Sequence, residues 1–246
     1  MISVIIATYN AELNLQRTLD SLKTQINKNF ELIVVDGDSK DNTMRIIKSN
    51  KDIINIYLSE PDTGLYDAWN KGIRISSGEW ICFLGAGDTL VPEAFEKYFE
   101  FLFNLQGKYD YISARINRID DSGLFLSNMG KAWNWPHFKK IMTVAHVGSL
   151  HSRILFDEVG FFNVDYNICA DYELLLRKRS KLRCAFLNYT IGNMPIGGTS
   201  FSIDALKQSA KAKYYTGKQS LLKVFLSFNI QLILFEMFKI RHRINN

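Results

Sequence analysis

The feature that most constrains this chain is an alternation across its first hundred residues, in which unbroken apolar runs are separated by stretches of helical spacing. Residues 2–7 are almost wholly apolar and stop at Thr8-Tyr9-Asn10. Leu15, Leu19, Leu22 and Ile26 then recur three or four positions apart and mark one buried helix face. A second apolar run over residues 30–35 ends at Asp36-Gly37-Asp38-Ser39, and a helical stretch with Met44, Ile46 and Ile47 follows. A third run covers residues 53–58, residues 65–77 return to helical spacing, and a fourth run over 80–84 ends at Gly85-Ala86-Gly87-Asp88. A run without polar alternation has both faces buried, so the pattern predicts a parallel sheet covered by helices on both sides.

In such sheets ligands sit beyond the carboxyl ends of the strands. Three of those ends carry polar residues here: Thr8-Tyr9-Asn10, Asp36-Gly37-Asp38 and Asp88. Strand ends must turn, and Asp, Gly and Asn are also what any turn uses. The coincidence therefore marks a place without assigning it a chemistry.

Beyond Pro92, residues 94–105 are amphipathic and predict a helix, and residues 109–114 a strand. Short alternations over 115–129 surround Asp120-Asp121-Ser122-Gly123 and predict a hairpin. Residues 130–170 are aromatic and irregular. Residues 170–180 read as helix, 184–189 as strand and Gly197-Gly198-Thr199-Ser200 as loop. The expected division is a catalytic domain over residues 1–205, in two halves (1–110 and 111–205), followed by a helical segment over 206–246.

The chain is 47% hydrophobic and 22% charged, which suits a folded domain rather than a disordered one. Cys82, Cys169 and Cys184 are widely spaced and form no CxxC pair, pointing to a reducing compartment and against a zinc or disulfide framework. The first residues lack a basic lead and a long apolar core, so they read as a buried strand and not as a signal peptide. The expected location is the cytoplasm or the inner face of the cell membrane. A net charge of +5 favours anionic partners. No nucleic-acid motif accompanies it, and the bases gather toward the C-terminus, so no nucleic-acid partner is expected. Nothing in the spacing specifies an oligomeric state.

Several chemistries lose their usual handle. The chain has no GxGxxG or GxxxxGK[ST] phosphate loop, no GxSxG elbow and no HExxH pair. What remains is acidic residues at strand ends, which suits a hard divalent cation, Mg²⁺ or Mn²⁺, bridging two phosphates.

Five segments in order, ISVIIATYN, LxxTLDSLKxQ, FELIVVDGDSKDNT, SEPDTGLYDAWNKGI and SSGEWICFLGAGD, resemble the nucleotide-binding half of inverting family 2 glycosyltransferases of the GT-A fold. A looser likeness continues through HVGSLHSRILFDEVGFFNVDYNICADYELLLR, where such enzymes keep their acceptor region. The resemblance implies that Thr8, Tyr9 and Asp36 line the nucleobase site with Asp38 beside them, and that Asp62, Asp67 and Asn70 line the donor pocket. It implies that Asp88, last in the family's Asp-x-Asp motif, ligates the cation on the diphosphate. Asp171 matches the acid taken as general base. Two departures stand out: Gly85 and Gly87 replace acids common in relatives, and Ala170-Asp171 replaces Glu-Asp.

The implied partners are a nucleotide-sugar donor, by family weight a uridine one, and a glycan or lipid-linked glycan acceptor, in polysaccharide biosynthesis. Asp171 would take the acceptor hydroxyl's proton as the oxygen attacks the anomeric carbon. As a bare sequence feature it is equally an acid in the first turn of a helix, meeting the helix dipole. His146 is open between a diphosphate contact, a cation ligand, an acceptor contact and a core residue. Trp133 and Trp135 either stack on a sugar or pack. Two readings compete with the main one: a nucleotidyltransferase, whose basic glycine-rich signature is missing, and a catalytically silent nucleotide-sugar-binding scaffold, which the two glycines motivate.

Residues 220–240 are rich in Leu, Phe and Ile, with lysines before and Lys239, Arg241 and Arg243 after. Lys223, Asn229, Gln231 and Glu236 interrupt the run and argue against a bilayer-spanning helix. The open alternatives are an interfacial membrane helix over 220–243, a helix docked on the domain, and an oligomer contact.

Overall fold

A computed structural model describes residues 1–120, 122–198 and 200–242. Its first half follows the alternation. β1 (Ile2–Thr8), β2 (Phe30–Asp36), β3 (Ile56–Ser59) and β4 (Trp80–Gly85) are parallel in the order β3-β2-β1-β4. α1 (Leu15–Lys23), α2 (Thr43–Ser49) and α3 (Leu65–Ile75) connect them.

Successive strand residues feed opposite faces, which is why the runs show no polar alternation. Val4, Ile6, Leu32, Val34, Cys82 and Leu84 pack with Leu15, Leu19 and Leu22 of α1 on one side. Ile5, Ile33, Val35, Ile81 and Phe83 pack with Tyr66, Trp69 and Ile73 of α3 on the other. Each fully buried Leu or Ile in these layers contributes roughly 1.5–3 kcal/mol relative to exposure. The third run divides: the N–H groups of Ile53 and Ile54 donate to Asn50 O and close the turn after α2, so the strand starts only at Ile56.

The second half is mixed. β5 (Thr89–Leu90) and α4 (Ala94–Asn104) lead to β6 (Tyr111–Ile119), which forms a hairpin with β7 (Phe125–Met129). Asp121, in the expected turn, lies outside the described residues. The stretch 130–170 holds α5 (Trp135–Phe138), β8 (Leu150–Ser152) and α6 (Arg153–Val159). β8 is antiparallel to both β4 and β6 and joins them, so β4 and β6 point the same way. α7 (Ala170–Lys178) follows, and then β9 (Cys184–Pro195), parallel to β6 and six residues longer than its apolar start predicts. The full order is β3-β2-β1-β4-β8-β6-β9-β5, with β7 on β6. The carboxyl ends of β1, β2, β4, β6 and β9 therefore share one edge.

α8 (Ile203–Tyr215) and α9 (Leu221–His242) complete the described chain. α9 is long and apolar enough to cross a membrane by length and composition, with mean hydropathy 1.7 over its best window and 11% of that window buried. The polar interruptions are fewer in effect than the sequence suggests, because Gln231 turns toward the body and Lys223 sits in the first turn.

Candidate active site

The loops after β1 and β2 are zipped together by side chains gripping backbone. Asn10 N–H donates to Ser39 Oγ (2.8 Å), Lys40 N–H to Asn10 Oδ1 (2.9 Å), Ala11 N–H to Thr43 Oγ1 (2.8 Å) and Glu12 N–H to Asp41 Oδ2 (3.0 Å). Asn10 and Asp38 hold left-handed φ values of 46° and 66°, which short polar side chains tolerate. Asp36 organises this turn from beneath. It is 0% exposed and accepts from Ser39 N–H (3.0 Å), Ser39 Oγ–H (2.5 Å) and Ser59 Oγ–H (2.7 Å).

Above it, Tyr9 is 63% exposed, its ring free to meet a planar ligand, while Thr8 Oγ1 is buried without a hydrogen-bond partner. Asp38 turns outward to Lys40 Nζ, 2.6 Å away. Asp62 leans over Gly37: a Cβ there would sit 2.7 Å from Asp62 Oδ2, so any larger residue would push that carboxylate aside. Asp67 Oδ2 accepts from Thr63 N–H (3.1 Å) at the start of α3. Asn70 is buried and exchanges two bonds with Phe162, Nδ2–H to O (2.9 Å) and N–H to Oδ1 (3.0 Å). Its amide pins the loop after α6 to α3.

At the end of β4, Asp88 folds back so that Oδ2 accepts from Gly85 N–H (2.8 Å). Gly87, with φ 112°, is held from α1, where Arg17 Nη2 donates to Gly87 O (2.7 Å) and Gly87 N–H donates to Thr18 Oγ1 (2.8 Å). Burial pushes the Asp88 carboxyl up to about 7, outweighing the Gly85 bond and the Arg17 charge that pull it down. A Cβ at residue 85 would lie 3.3 Å from Asp88 Oδ2. Glycine there leaves space over the carboxylate that a second acid would fill.

On the far side of β4 the site is aromatic. His146 stacks on Phe83 with ring centroids 5.6 Å apart and lies 4.9 Å from Trp69 and from His151. Both His146 ring nitrogens are buried without partners, and burial lowers its pKa to about 3, so the ring is neutral. Its Nδ1 is 4.0 Å from Asp171 Oδ2. Asp171 sits in the first turn of α7, where Oδ1 accepts from Tyr172 N–H (2.8 Å) and faces Tyr66 OH (3.0 Å). The Tyr66 hydroxyl has one proton and two acceptors, because Ile168 O is 2.6 Å away. Asp171 thus shares that donor, and burial lifts its pKa to about 6 despite both bonds.

The strand ends of β1, β2 and β4 lie along one edge. Asp36 lies opposite Thr8 across β1–β2, and Gly85, the donor to Asp88, lies opposite Ala7 on the other side of β1. Asp171 lies 4.0 Å from His146, which rests on Phe83, two residues before Gly85. Trp133 and Trp135 stack on each other (6.4 Å), and Trp133 packs on buried Phe138 (4.3 Å). Thr199, in the expected glycine-rich loop, and Arg243 lie outside the described residues. Among the described residues no three His, Cys, Asp or Glu side chains form a metal-holding group. Tyr66 and Arg17 are the participants the sequence reading left unassigned. Both lie inside the quoted segments, yet their partners are 105 and 70 residues away.

A family model for glycosyl transferase family 2 matches residues 3–159, nearly two thirds of the chain. The chain belongs to this family. Among its relatives is a PGL/p-HBAD biosynthesis glycosyltransferase of Mycobacterium tuberculosis, 29% identical over 196 residues that cover 72% of this chain and 69% of that one. The amylovoran biosynthesis glycosyltransferase AmsB of Erwinia amylovora is 30% identical over 187 residues, covering 68% and 62%.

Solved structures share the fold at lower identity. S. aureus TarS superposes with TM-score 0.70 at 18% identity over 92% of this chain, which spans 42% of that protein chain. A TarS fragment in complex with UDP-GlcNAc gives 0.69 at 17% identity, covering 90% of this chain and 69% of the other. The mannosyltransferase PcManGT of Pyrobaculum calidifontis, in complex with GDP-Man and Mn²⁺, gives 0.67 at 16%, covering 89% and 64%. This glycosyltransferase therefore has the GT-A architecture that its motifs imply, and the nucleotidyltransferase reading falls away.

Proposed function

We propose that this family 2 glycosyltransferase moves a sugar from a nucleoside-diphosphate donor, with uridine as the base, to a hydroxyl of a glycan or lipid-linked glycan in surface polysaccharide or glycolipid synthesis. The observation that carries the reading is Asp171, a buried carboxyl raised to about 6, bonded by Tyr66 and flanked at 4.0 Å by a neutral imidazole without a hydrogen-bond partner. A base should have a pKa near the working pH, so that it is ionised yet still basic. Burial places Asp171 there.

The reaction is a single displacement with inversion. Asp171 takes the proton of the acceptor hydroxyl as that oxygen attacks the anomeric carbon, and the nucleoside diphosphate departs. Tyr66 and the first turn of α7 fix the carboxylate's direction. Tyr9 covers one face of the base, and the turn that Asp36 braces sets the floor beneath it. Asp38, Asp62 and Asp67 stand around the donor, and Asn70 shapes the wall by holding Phe162.

The site suits a divalent cation, Mn²⁺ or Mg²⁺, carried in on the diphosphate. A single carboxylate, Asp88, stands under the space that Gly85 leaves, so phosphate oxygens and water would complete the shell. When bound, such a cation stabilises charge on the leaving diphosphate. The relative bound to GDP-Man and Mn²⁺ and the one bound to UDP-GlcNAc support both partners.

The test is donor hydrolysis with Mn²⁺ across UDP-, GDP- and dTDP-sugars. Wild type is expected to release nucleoside diphosphate slowly from a uridine donor, and Asp88→Ala to release none above background. A wild type that binds donor yet never turns over with water or any acceptor would favour the silent scaffold instead.

A further inference from the structure

α9 is built inside out. Two of its polar residues, Ser227 and Gln231, face the protein, where Ser227 Oγ–H donates to Lys140 O (2.9 Å), Gln231 Nε2–H donates to Ser227 Oγ (2.8 Å), and the buried Lys213 of α8 donates to Ser227 Oγ (3.1 Å), while Lys223, Glu236 and Arg241 are exposed. Val224 and Phe235 are buried, but most of its other apolar residues face outward. Leu222, Phe225, Leu226, Ile230, Ile233, Leu234, Met237 and Ile240 are each at least half exposed, up to 77% at Ile240.

At 3.6 residues per turn these positions span about half of the helix circumference, with Asn229 and Glu236 the polar positions within the same arc. A helix pairing with a second copy of itself needs only the narrow seam of two positions per heptad. The arc here is too broad for that and matches a helix lying in a lipid interface. Contiguous exposed apolar surface of this extent marks an interaction site in a soluble domain.

Charge names the kind of surface. From residue 203 to residue 242 the chain carries seven Lys and Arg against Asp204 and Glu236, a surplus equal to the whole chain's net charge of +5. The rest of the protein is close to neutral, so the positive charge is concentrated on the two C-terminal helices. Lys223 and Arg241 stand near opposite ends of the apolar face and are exposed, placed to reach headgroups while the arc between them enters the acyl boundary.

The inner face argues for a helix in the membrane plane. Phe235 rests on Phe201 (4.7 Å between centroids), and Arg118 lies 5.4 Å from the Phe238 ring centre. A spanning α9 would give up these contacts and the Ser227–Lys140 seam. Phe201 follows β9 and Arg118 ends β6, and both strands rise at the catalytic edge. The docked helix therefore sits beside that edge.

We propose that α9 seats the enzyme on an anionic phospholipid bilayer, lying in its plane with the Leu226–Ile233–Met237 face in the interface and Lys223 and Arg241 on the headgroups. The juxtaposition of an outward apolar arc, basic ends and a body-facing polar seam carries the inference.

Flotation with vesicles of phosphatidylcholine, with and without phosphatidylglycerol, tests it on the purified full chain. Wild type is expected to float with the anionic vesicles, to float poorly with neutral ones, and to lose binding as salt rises. Leu226→Ser/Ile233→Ser/Met237→Ser should bind at least tenfold more weakly while keeping its far-ultraviolet spectrum and donor hydrolysis. Lys223→Glu and Arg241→Glu, which leave the apolar face intact, should each cost about fivefold or more. Four results would overturn the proposal. They are no preference for anionic vesicles, unchanged binding by the triple variant, a concentration-dependent dimer that the triple variant abolishes without vesicles, or retention of the chain in alkali-washed membranes.

Discussion

The two sides of β4 solve different problems. On the β1–β2 side the loops are densely bonded, Thr8 Oγ1 aside: Asp36 has three donors, and Asn10, Ser39, Asp41 and Thr43 each hold a backbone group of the facing loop. On the α3–α7 side an aromatic bed leaves His146 without a partner and gives Asp171 a shared one. Dense bonding makes a rigid platform that recognises a ligand through shape and a few exposed groups. Burial there holds His146 neutral and raises Asp171 to about 6 on the α3–α7 side, so the carboxylate is the group able to take a proton. With the proposed roles, recognition and proton transfer fall on different sides of β4, and substitutions on the two sides should fail differently.

The largest separation is expected at Asp171. Asp171→Asn keeps the shape and one bond to Tyr172 N–H, so donor binding by calorimetry should stay within severalfold. Transfer should fall by about 10²–10⁴-fold. Near-normal transfer would mean the two sides are not divided as described.

Tyr66→Phe comes next. It removes a hydroxyl whose bond stabilises the ionised Asp171, at a cost of roughly tenfold in transfer. In wild type the rate should rise with pH through an inflection near 6 and level off above it, because the base works only when deprotonated. Losing the Tyr66 bond leaves burial less opposed, so the inflection should move to higher pH in the variant. An inflection that stays in place would detach Tyr66 from the base.

The smallest kinetic effect is expected at Asn70. Asn70→Ala strands the N–H and O of buried Phe162, which costs about 1–3 kcal/mol of stability by denaturant melts. Donor KM should hardly change. A large KM change with unaltered stability would instead make Asn70 a donor contact.

The same division explains what the sequence reveals. β1, β2 and β4 are legible because continuous apolar runs bounded by turn residues are local signals. The Asp36-Gly37-Asp38 turn is legible for the same reason. β8 is not: three residues between β4 and β6 have no period to detect, and only the long-range ladder defines them. Tyr66–Asp171 and Asn70–Phe162 join residues about a hundred positions apart, so the residue types are visible while their pairing is not. In α9 composition announces an apolar helix, but which face turns outward depends on Lys140, Lys213 and Phe201, none of them in the helix.

The most direct test of the central claim is a structure of the enzyme with a non-transferable uridine diphosphate sugar and Mn²⁺. The account expects the base beneath Tyr9, the diphosphate at Asp88, and the face of the anomeric carbon opposite the diphosphate open toward Asp171, with room between them for one hydroxyl. A nucleotide seated away from the β1–β4 edge, or a sugar turned so that Asp171 faces no attack path, would contradict it.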